Sequence, residues 1–308
     1  MIKLSQILVI GSMNMDLVVE TDRYPKKGET IIGGKFEQIP GGKGANQALA
    51  AAKLGEDVEF IGACGNDSFA PKLISSLRNG GAKIDNIFKV DGVSTGVAVI
   101  TVDKKGNNRI IVSPGANYQL DENKIEKIKD KIIEAEILLL QLEIPVETIK
   151  KIIEIATANN TKIVLDPAPA QKLSDYILSK VDYLLPNEGE LDLLLDDINL
   201  EERSEKIDIL LDKGVKNIIV TEGEKGINYY SRNEKLHLDS LKVKAVDTTA
   251  AGDVFAGAFA ASLMEKNDIK KSLEFAVEAA AYSVTKMGAQ SSVPNKEDLN
   301  KFLAERSK

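Results

Sequence analysis

The chain has 308 residues, 43% of them hydrophobic, enough for the core of one large α/β domain and unlike a fibrous or disordered composition. A formal net charge of −7 argues against nucleic acid or an anionic membrane surface as the main partner. A single cysteine, Cys64, excludes an intrachain disulfide framework, and a single histidine, His237, excludes a catalytic histidine elsewhere and zinc sites built on His and Cys.

Met1 to Val9 carry no long apolar stretch behind a basic head, so no secretory signal is expected. No window reaches the roughly 18 uncharged apolar residues of a membrane span, and the expected address is cytoplasmic. Gln6–Gly11 (QILVIG) predicts a buried first strand. Asp16–Glu20 and Thr30–Gln38 read as strands outside any helix–strand rhythm.

Pro40 to Ala48 (PGGKGANQA) then makes a permissive glycine loop that feeds an alanine-rich helix through Leu54. It is not a Walker A loop, since no Ser or Thr follows Lys43 at the needed spacing, and the chain holds no G-x-G-x-x-G fingerprint. Lys43 and Asn46 suit hydrogen bonds to sugar hydroxyls, although the same loop also serves as a turn for tight packing.

Glu59–Gly62 predicts a further strand, with Cys64 a small buried side chain beside it. Gly96–Val102 and Asn108–Val112 form a second strand pair, with Asp103-Lys104-Lys105-Gly106 as its hairpin loop. Strands extruded from an α/β body commonly cover a site or pair with another copy. The charged runs Asp121–Lys131 and Glu201–Lys206 read as solvated helix faces.

Strands at Ile137–Leu142, Lys162–Leu165, Tyr183–Leu185 and Asn217–Thr221 alternate with helical patterns such as Val146–Ala158 and Ser204–Lys213. That alternation predicts βαβ units and a mostly parallel sheet covered on both faces. His237 falls on an exposed strand, and Gly252–Met264, Ile269–Met287 and Lys296–Ala304 predict consecutive helices.

The strongest chemical signal is Asp247 to Gly257 (DTTAAGDVFAG), where two aspartates flank small residues that run into a helix. Small residues let a ligand approach the backbone, and a helix start offers unpaired N–H groups and a positive dipole end. A carboxylate there, Asp253, is placed to accept a hydroxyl proton while the amides hold a transferring phosphoryl group. Taken alone, Asp253 also reads as an ordinary first-turn acid.

The two glycine-rich segments together resemble the two signatures of the ribokinase family, the PfkB carbohydrate kinases. Further matches are Gly11 to Asp16 (GSMNMD), Gln141-Leu142-Glu143, Asp166 to Ala170 (DPAPA), Pro186 to Glu190 (PNEGE) and Gly288 to Pro294 (GAQSSVP). The resemblance runs in order from about Gln6 to Pro294. It implies one kinase domain over residues 1–308, a three-layer α/β/α fold with a mostly parallel sheet, and a small β-sheet lid from segments about 14–38 and 95–113. The implied reaction is ATP-dependent phosphorylation of D-ribose at its 5-hydroxyl, with deoxyribose, another sugar or a nucleoside as alternative acceptors.

By the same resemblance Asn14, Asp16, Gly42, Lys43, Asn46 and Glu143 line the sugar pocket, and Asp253 is the base. Ala250, Ala251 and Gly252 supply anion-hole amides. Asn187 contacts ATP phosphates, Thr221, Gly223 and Gly226 form the nucleotide turn, and Glu190 orders Mg²⁺ through water. A monovalent cation, usually K⁺, is expected at Asp247, near the main-chain oxygens of Thr249, Ser283, Lys286 and Gly288 and an oxygen of Ser292. A homodimer through the lid is implied as well. Valine stands at 277, where the family more often carries Asn or His beside the adenine.

Overall fold

The computed structural model describes residues 6–195, 202–266 and 268–306. Met1–Ser5 of the opening segment and Glu201 of the second charged run lie outside them. The chain begins with β1 (Ile7–Ile10), leaves the main body for β2 (Asn14–Thr21) and β3 (Phe36–Gly41), and returns through α1 (Lys43–Lys53) to β4 (Val58–Ile61). A short pair, β5 (Ala63–Gly65) and β6 (Phe88–Val90), brackets α2 (Ala70–Asn79), after which β7 (Gly96–Asp103) and β8 (Asn108–Ser113) leave again. Then follow α3 (Glu122–Lys127), α4 (Lys129–Glu134), β9 (Ile137–Leu140), α5 (Val146–Ala158), β10 (Lys162–Leu165) and α6 (Asp175–Leu178). The series continues through β11 (Tyr183–Leu184), α7 (Glu188–Leu194), α8 (Arg203–Asp212), β12 (Asn217–Thr221), β13 (Ile227–Ser231) and β14 (Lys235–Leu238). Three helices end it: α9 (Ala251–Lys266), α10 (Ile269–Ser283) and α11 (Lys296–Arg306).

The main sheet runs β14-β13-β12-β11-β10-β9-β1-β4, parallel from β12 to β4 and antiparallel at the β13 and β14 edge. Its central strands are apolar throughout because both faces are covered. Ile7 and Val9 enter one core with α1, α9 and α10, whereas Leu8 and Ile10 enter another with α5 and α8. Each such side chain stabilises the fold by about 1.5–3 kcal/mol. The three-layer α/β/α expectation holds.

The four strands that leave the main sheet form their own, in the order β3-β2-β7-β8. The strand expected at Thr30–Gln38 instead runs Phe36–Gly41. Pro40 lies inside β3, which is tolerated because β3 is an edge strand and needs no outward N–H bond. The helix expected at Ile269–Met287 stops at Ser283, where the Val284 carbonyl instead accepts from the amides of Val246 and Asp247 at 2.7 and 3.2 Å. Cys64 is buried and His237 is exposed on β14, as read.

Candidate active site

The site forms where α1 and α9 begin, at one end of the sheet. Gly42 caps α1 with φ 93°, and a Cβ there would stand 2.6 Å from the Asn14 amide, so glycine is required on both counts. This packing sets Lys43 and Asn46 beside the start of β2. Glu143, just past β9, accepts at one oxygen from the Ser12 hydroxyl, the Asn14 side chain at 3.2 Å and the Lys43 amide at 3.3 Å. Asn117 steadies Asn14 from behind by donating to its Oδ1 at 2.7 Å. Asp16 lies on the same face of β2 as Asn14, and burial, then the charges of Glu143 and Asp253, push its carboxyl up to about 7.

At α9 the chain makes a turn from Thr248 to Ala251, with Ala250 at φ 61°. A non-glycine residue in this region costs on the order of 1–3 kcal/mol and persists only where its surroundings impose it. The Ala251 amide closes the turn on the Thr248 carbonyl at 3.3 Å, so it is not a free donor as expected. The amides of Ala250, Gly252 and Asp253 have no protein acceptor among the described residues. The open donors at this helix start are therefore the amides of Ala250, Gly252 and Asp253.

Asp253 is held from α1. Asn46 donates to its Oδ2 at 2.8 Å, Gln47 to its Oδ1 at 3.2 Å, and the Lys43 ammonium stands 4.0 Å away. Burial works against the charge of Lys43, but Asp253, Asp166, Glu143 and Glu190 outweigh it and raise its pKa above the ordinary lysine value.

A cavity of ≈ 190 Å³ opens on the far side of Lys43 and Asp253, lined also by Asp166, Asn187, Glu190, Thr221 and Gly252. Asn187 and Glu190 form a reciprocal cap on α7, each backbone N–H donating to the other's side chain at 2.8 Å. The Thr221 amide donates to the Pro186 carbonyl at 2.9 Å, which docks the end of β12 against that cap. Gly223 and Gly226 lie in the following turn and do not line the cavity. Arg203 ties the two walls by pairing with both Glu188 and Glu222. Val277 is buried in the core with α9.

Behind α9, Asp247 accepts from the Thr249 amide at 2.9 Å and the Gly288 amide at 2.8 Å. Burial favours its protonated form, but these donors outweigh burial and hold its carboxyl below the usual range. Ser283 and Lys286 belong to the turn that reaches it, with the Lys286 amide on the Ser283 carbonyl at 3.0 Å. The Ser292 hydroxyl bonds within its own turn, to the Ala289 carbonyl at 2.8 Å. A carboxylate with neighbouring carbonyls is a donor set that fits a hard cation. Among the described residues no three His, Cys, Asp or Glu side chains cluster as a metal cage. The single carboxylate of Glu190 on the cavity wall fits Mg²⁺, which keeps waters and takes phosphate oxygens.

Sequence reasoning gave no role to Gln47, Asp166, Gln141, Ser12 or Asn117. Asp166 is buried on the cavity wall, and burial, opposed by Lys43, pushes its carboxyl up to about 8. The available signal was a polar Gln47 amid the alanines of α1, where an apolar residue would have been cheaper to bury.

Residues 4–296 match the model of the pfkB family carbohydrate kinases. The chain is 42% identical to a ribokinase of Schizosaccharomyces pombe over 94% of its own length and 95% of the relative's. It is 39% identical to a deoxyribokinase of Salmonella typhi, over 97% of this chain and 98% of the other. The structure resembles a ribokinase of Thermotoga maritima with a TM-score of 0.90, 43% identity and coverage of 97% and 99%. An Arabidopsis thaliana ribokinase complexed with ribose and ATP superposes with a TM-score of 0.90 at 32% identity, covering 98% and 99%. An E. coli structure in complex with ATP and Mg²⁺ matches at 25% identity and a TM-score of 0.84, covering 98% and 100%.

Proposed function

The chain belongs to the pfkB family of carbohydrate kinases, and on that premise we propose that it is a ribokinase, converting ATP and D-ribose to ADP and D-ribose 5-phosphate. The observation that carries this reading is the convergence of Asp253, Lys43 and the open amides of Gly252 and Asp253 on the boundary between a polar pocket and a cavity. Ribose lies on the side of Asn14, Asp16, Gly42, Asn46 and Glu143, an inventory of hydroxyl partners without an aromatic cage. ATP lies on the side of Asn187, Thr221 and the turn of Gly223 and Gly226.

Asp253 takes the proton of the 5-hydroxyl as that oxygen bonds to the γ-phosphorus, and the bond from phosphorus to the β,γ-bridging oxygen breaks to release ADP. The helix-start amides and the Lys43 ammonium offset charge on the transferring group. Glu190 would hold Mg²⁺ through water, and the ion supplies charge neutralisation at the phosphates. Asp247, with oxygens of Thr249, Ser283, Lys286, Gly288 and Ser292, would hold K⁺ and so brace the loop that presents the amides.

The second sheet is the lid. Register puts Asn14 and Asp16 on one face, and Leu17, Val19, Phe36, Val99 and Ile111 on the other. Phe36, Val99 and Ile111 are exposed, and this apolar face supports a homodimer formed through paired lids. No helix among the described residues is long and apolar enough to cross a membrane. Spending ATP on a free sugar, with one buried free cysteine, fits a cytoplasmic enzyme.

The test is ADP release with D-ribose, 2-deoxyribose, fructose and nucleosides, each with and without K⁺. Ribose is expected to give the highest kcat/KM. The Salmonella typhi relative makes 2-deoxyribose the second reading, and a preference for it would replace ribose while leaving the chemistry intact.

A further inference from the structure

Gln47 is fully buried on α1, does not line the cavity, and yet touches both buried aspartates of the site. Its Nε2 donates to Asp166 Oδ2 at 2.7 Å and to Asp253 Oδ1 at 3.2 Å, which uses both amide hydrogens. Its Oε1 accepts from Gln141 Nε2 at 2.5 Å. A glutamine side chain can turn over by exchanging its oxygen and nitrogen. Here the turned form would set a carbonyl oxygen against two carboxyl groups and an N–H₂ against the N–H₂ of Gln141. The two acids favour the orientation that faces donors toward them, and the contact from Gln141 completes it on the other side.

The backbone makes this reach possible. A Cβ on Gly257, one turn after Asp253, would stand 2.5 Å from the Gln47 carbonyl oxygen, so α9 packs its backbone directly against that of α1 here. We propose that Gln47 is a positioning residue for the phosphoryl transfer: oriented by Gln141, it fixes the plane of the Asp253 carboxylate and ties it to Asp166. The proposal rests on the kinase reading above and deepens it. With Asn46 on one oxygen and Gln47 on the other, the Asp253 carboxylate is fixed from both sides and keeps lone pairs free to accept a proton. The charged groups felt at this point are Lys43 on α1, Asp16 on β2 and Asp166 after β10.

Gln47→Met keeps the volume and removes the donors. At neutral pH kcat should fall about tenfold to a hundredfold, while KM for sugar and ATP stays within about threefold, since Gln47 touches neither substrate pocket. Gln47→Glu should lose more, because it adds a third acid where a donor is needed. Gln141→Met should lower kcat by less, with KM likewise unchanged, and it carries the test if Gln47→Met does not fold. A kcat within twofold of wild type overturns the proposal. So does a loss that falls on KM alone.

A readout independent of turnover separates this inference from the substrate reading. In ¹⁵N-labelled protein the Gln47 side-chain amide, assigned by its loss in Gln47→Met, should shift in both Asp253→Asn and Gln141→Met. A resonance unmoved by either substitution refutes the relay whether or not wild type phosphorylates ribose. A wild type inactive on ribose, with the resonance moving as described, refutes the substrate and leaves the relay standing.

Discussion

Asn46 donates its side-chain amide to Asp253 at 2.8 Å, and the contact joins the first turn of α1 to the first turn of α9. The two glycine-rich segments of the sequence, more than 200 positions apart, thus meet at one carboxylate. Asp253→Asn keeps the shape of that meeting and removes the base. Turnover should fall by roughly two to four orders of magnitude with little change in thermal stability, the usual worth of a general base. Steady-state ADP release and a melting curve check it, and near-normal turnover would remove Asp253 from the role.

Asp16 gives a pH dependence whose sign is fixed. Its carboxyl rises from the ordinary 3.8 to about 7 on folding. The folded chain therefore keeps this proton at pH values where the unfolded chain has lost it. The stability it contributes is fully present below about pH 4 and is lost as pH rises to about 7. Asp16→Asn should flatten the fall of Tm across that window and raise Tm at pH 8. Sugar binding runs the other way, since an ionised Asp16 accepts hydroxyls best. Wild-type affinity for ribose should weaken below about pH 7, and Asp16→Asn should weaken it about tenfold or more at pH 8. Calorimetric titration across the range, with Tm in parallel, decides both.

The parts of this site that were legible in the sequence are those where one short segment carries the whole device. Gly42, Lys43 and Asn46 stand within five positions of each other, and the small residues before Asp253 announce a helix start. Alternation of apolar strands and amphipathic helices likewise exposed the parallel sheet. Contacts assembled across the chain left no such mark. Gln47, Gln141 and Asp166 meet only because β9 and β10 end where α1 begins, and no local pattern encodes that. The end of α10 was hidden for the same reason, as the partner that captures the Val284 carbonyl lies at Val246 and Asp247. Pro40 misled in the opposite direction, because its place on an edge strand is a property of the sheet and not of its neighbours in sequence.

Gly257 tests how tightly the site depends on helix approach. A Cβ there would stand 2.5 Å from the Gln47 carbonyl and 2.6 Å from the Ala50 side chain. Backbone cannot yield as a flexible side chain does, so Gly257→Ala must push α9 away from α1. It should cost about 1–3 kcal/mol of stability, the usual range for overpacking. Because Asp253 is one turn away, kcat should fall as well while KM for ATP changes little. Denaturant unfolding and steady-state kinetics on the same preparation check the pair of effects, and a loss of stability with unchanged kcat would show that Asp253 is positioned independently of this crossing.

Asp247 ties the loop before α9 to the turn after α10, receiving the Thr249 amide on one oxygen and the Gly288 amide on the other. Asp247→Ala leaves both donors without their carboxylate and should cost about 1–3 kcal/mol. If the same carboxylate holds K⁺, the variant should also lose the rise in kcat that K⁺ gives wild type. Kinetics in K⁺ against a bulky organic cation at equal ionic strength separates the two roles. A variant that is less stable but still responds fully to K⁺ would confine Asp247 to bracing the loop.

The outer face of the lid offers the last test. Val99 and Ile111 are direct neighbours across β7 and β8, and Ile111 is 73% exposed on the edge strand. Isolated, such a face leaves apolar surface in water, and an edge strand leaves its hydrogen-bonding groups open. A second lid packed on it would cover the apolar face. Ile111→Lys places a charge on this face, where two facing copies would set like charges against each other. The variant should sediment as a monomer at micromolar concentration while wild type sediments as a dimer. Because Asp16 lies on the opposite face of this sheet, losing the partner should loosen the lid over the sugar, and KM for ribose should rise more than KM for ATP. A wild type that is monomeric at the same concentration would refute the lid-to-lid dimer outright.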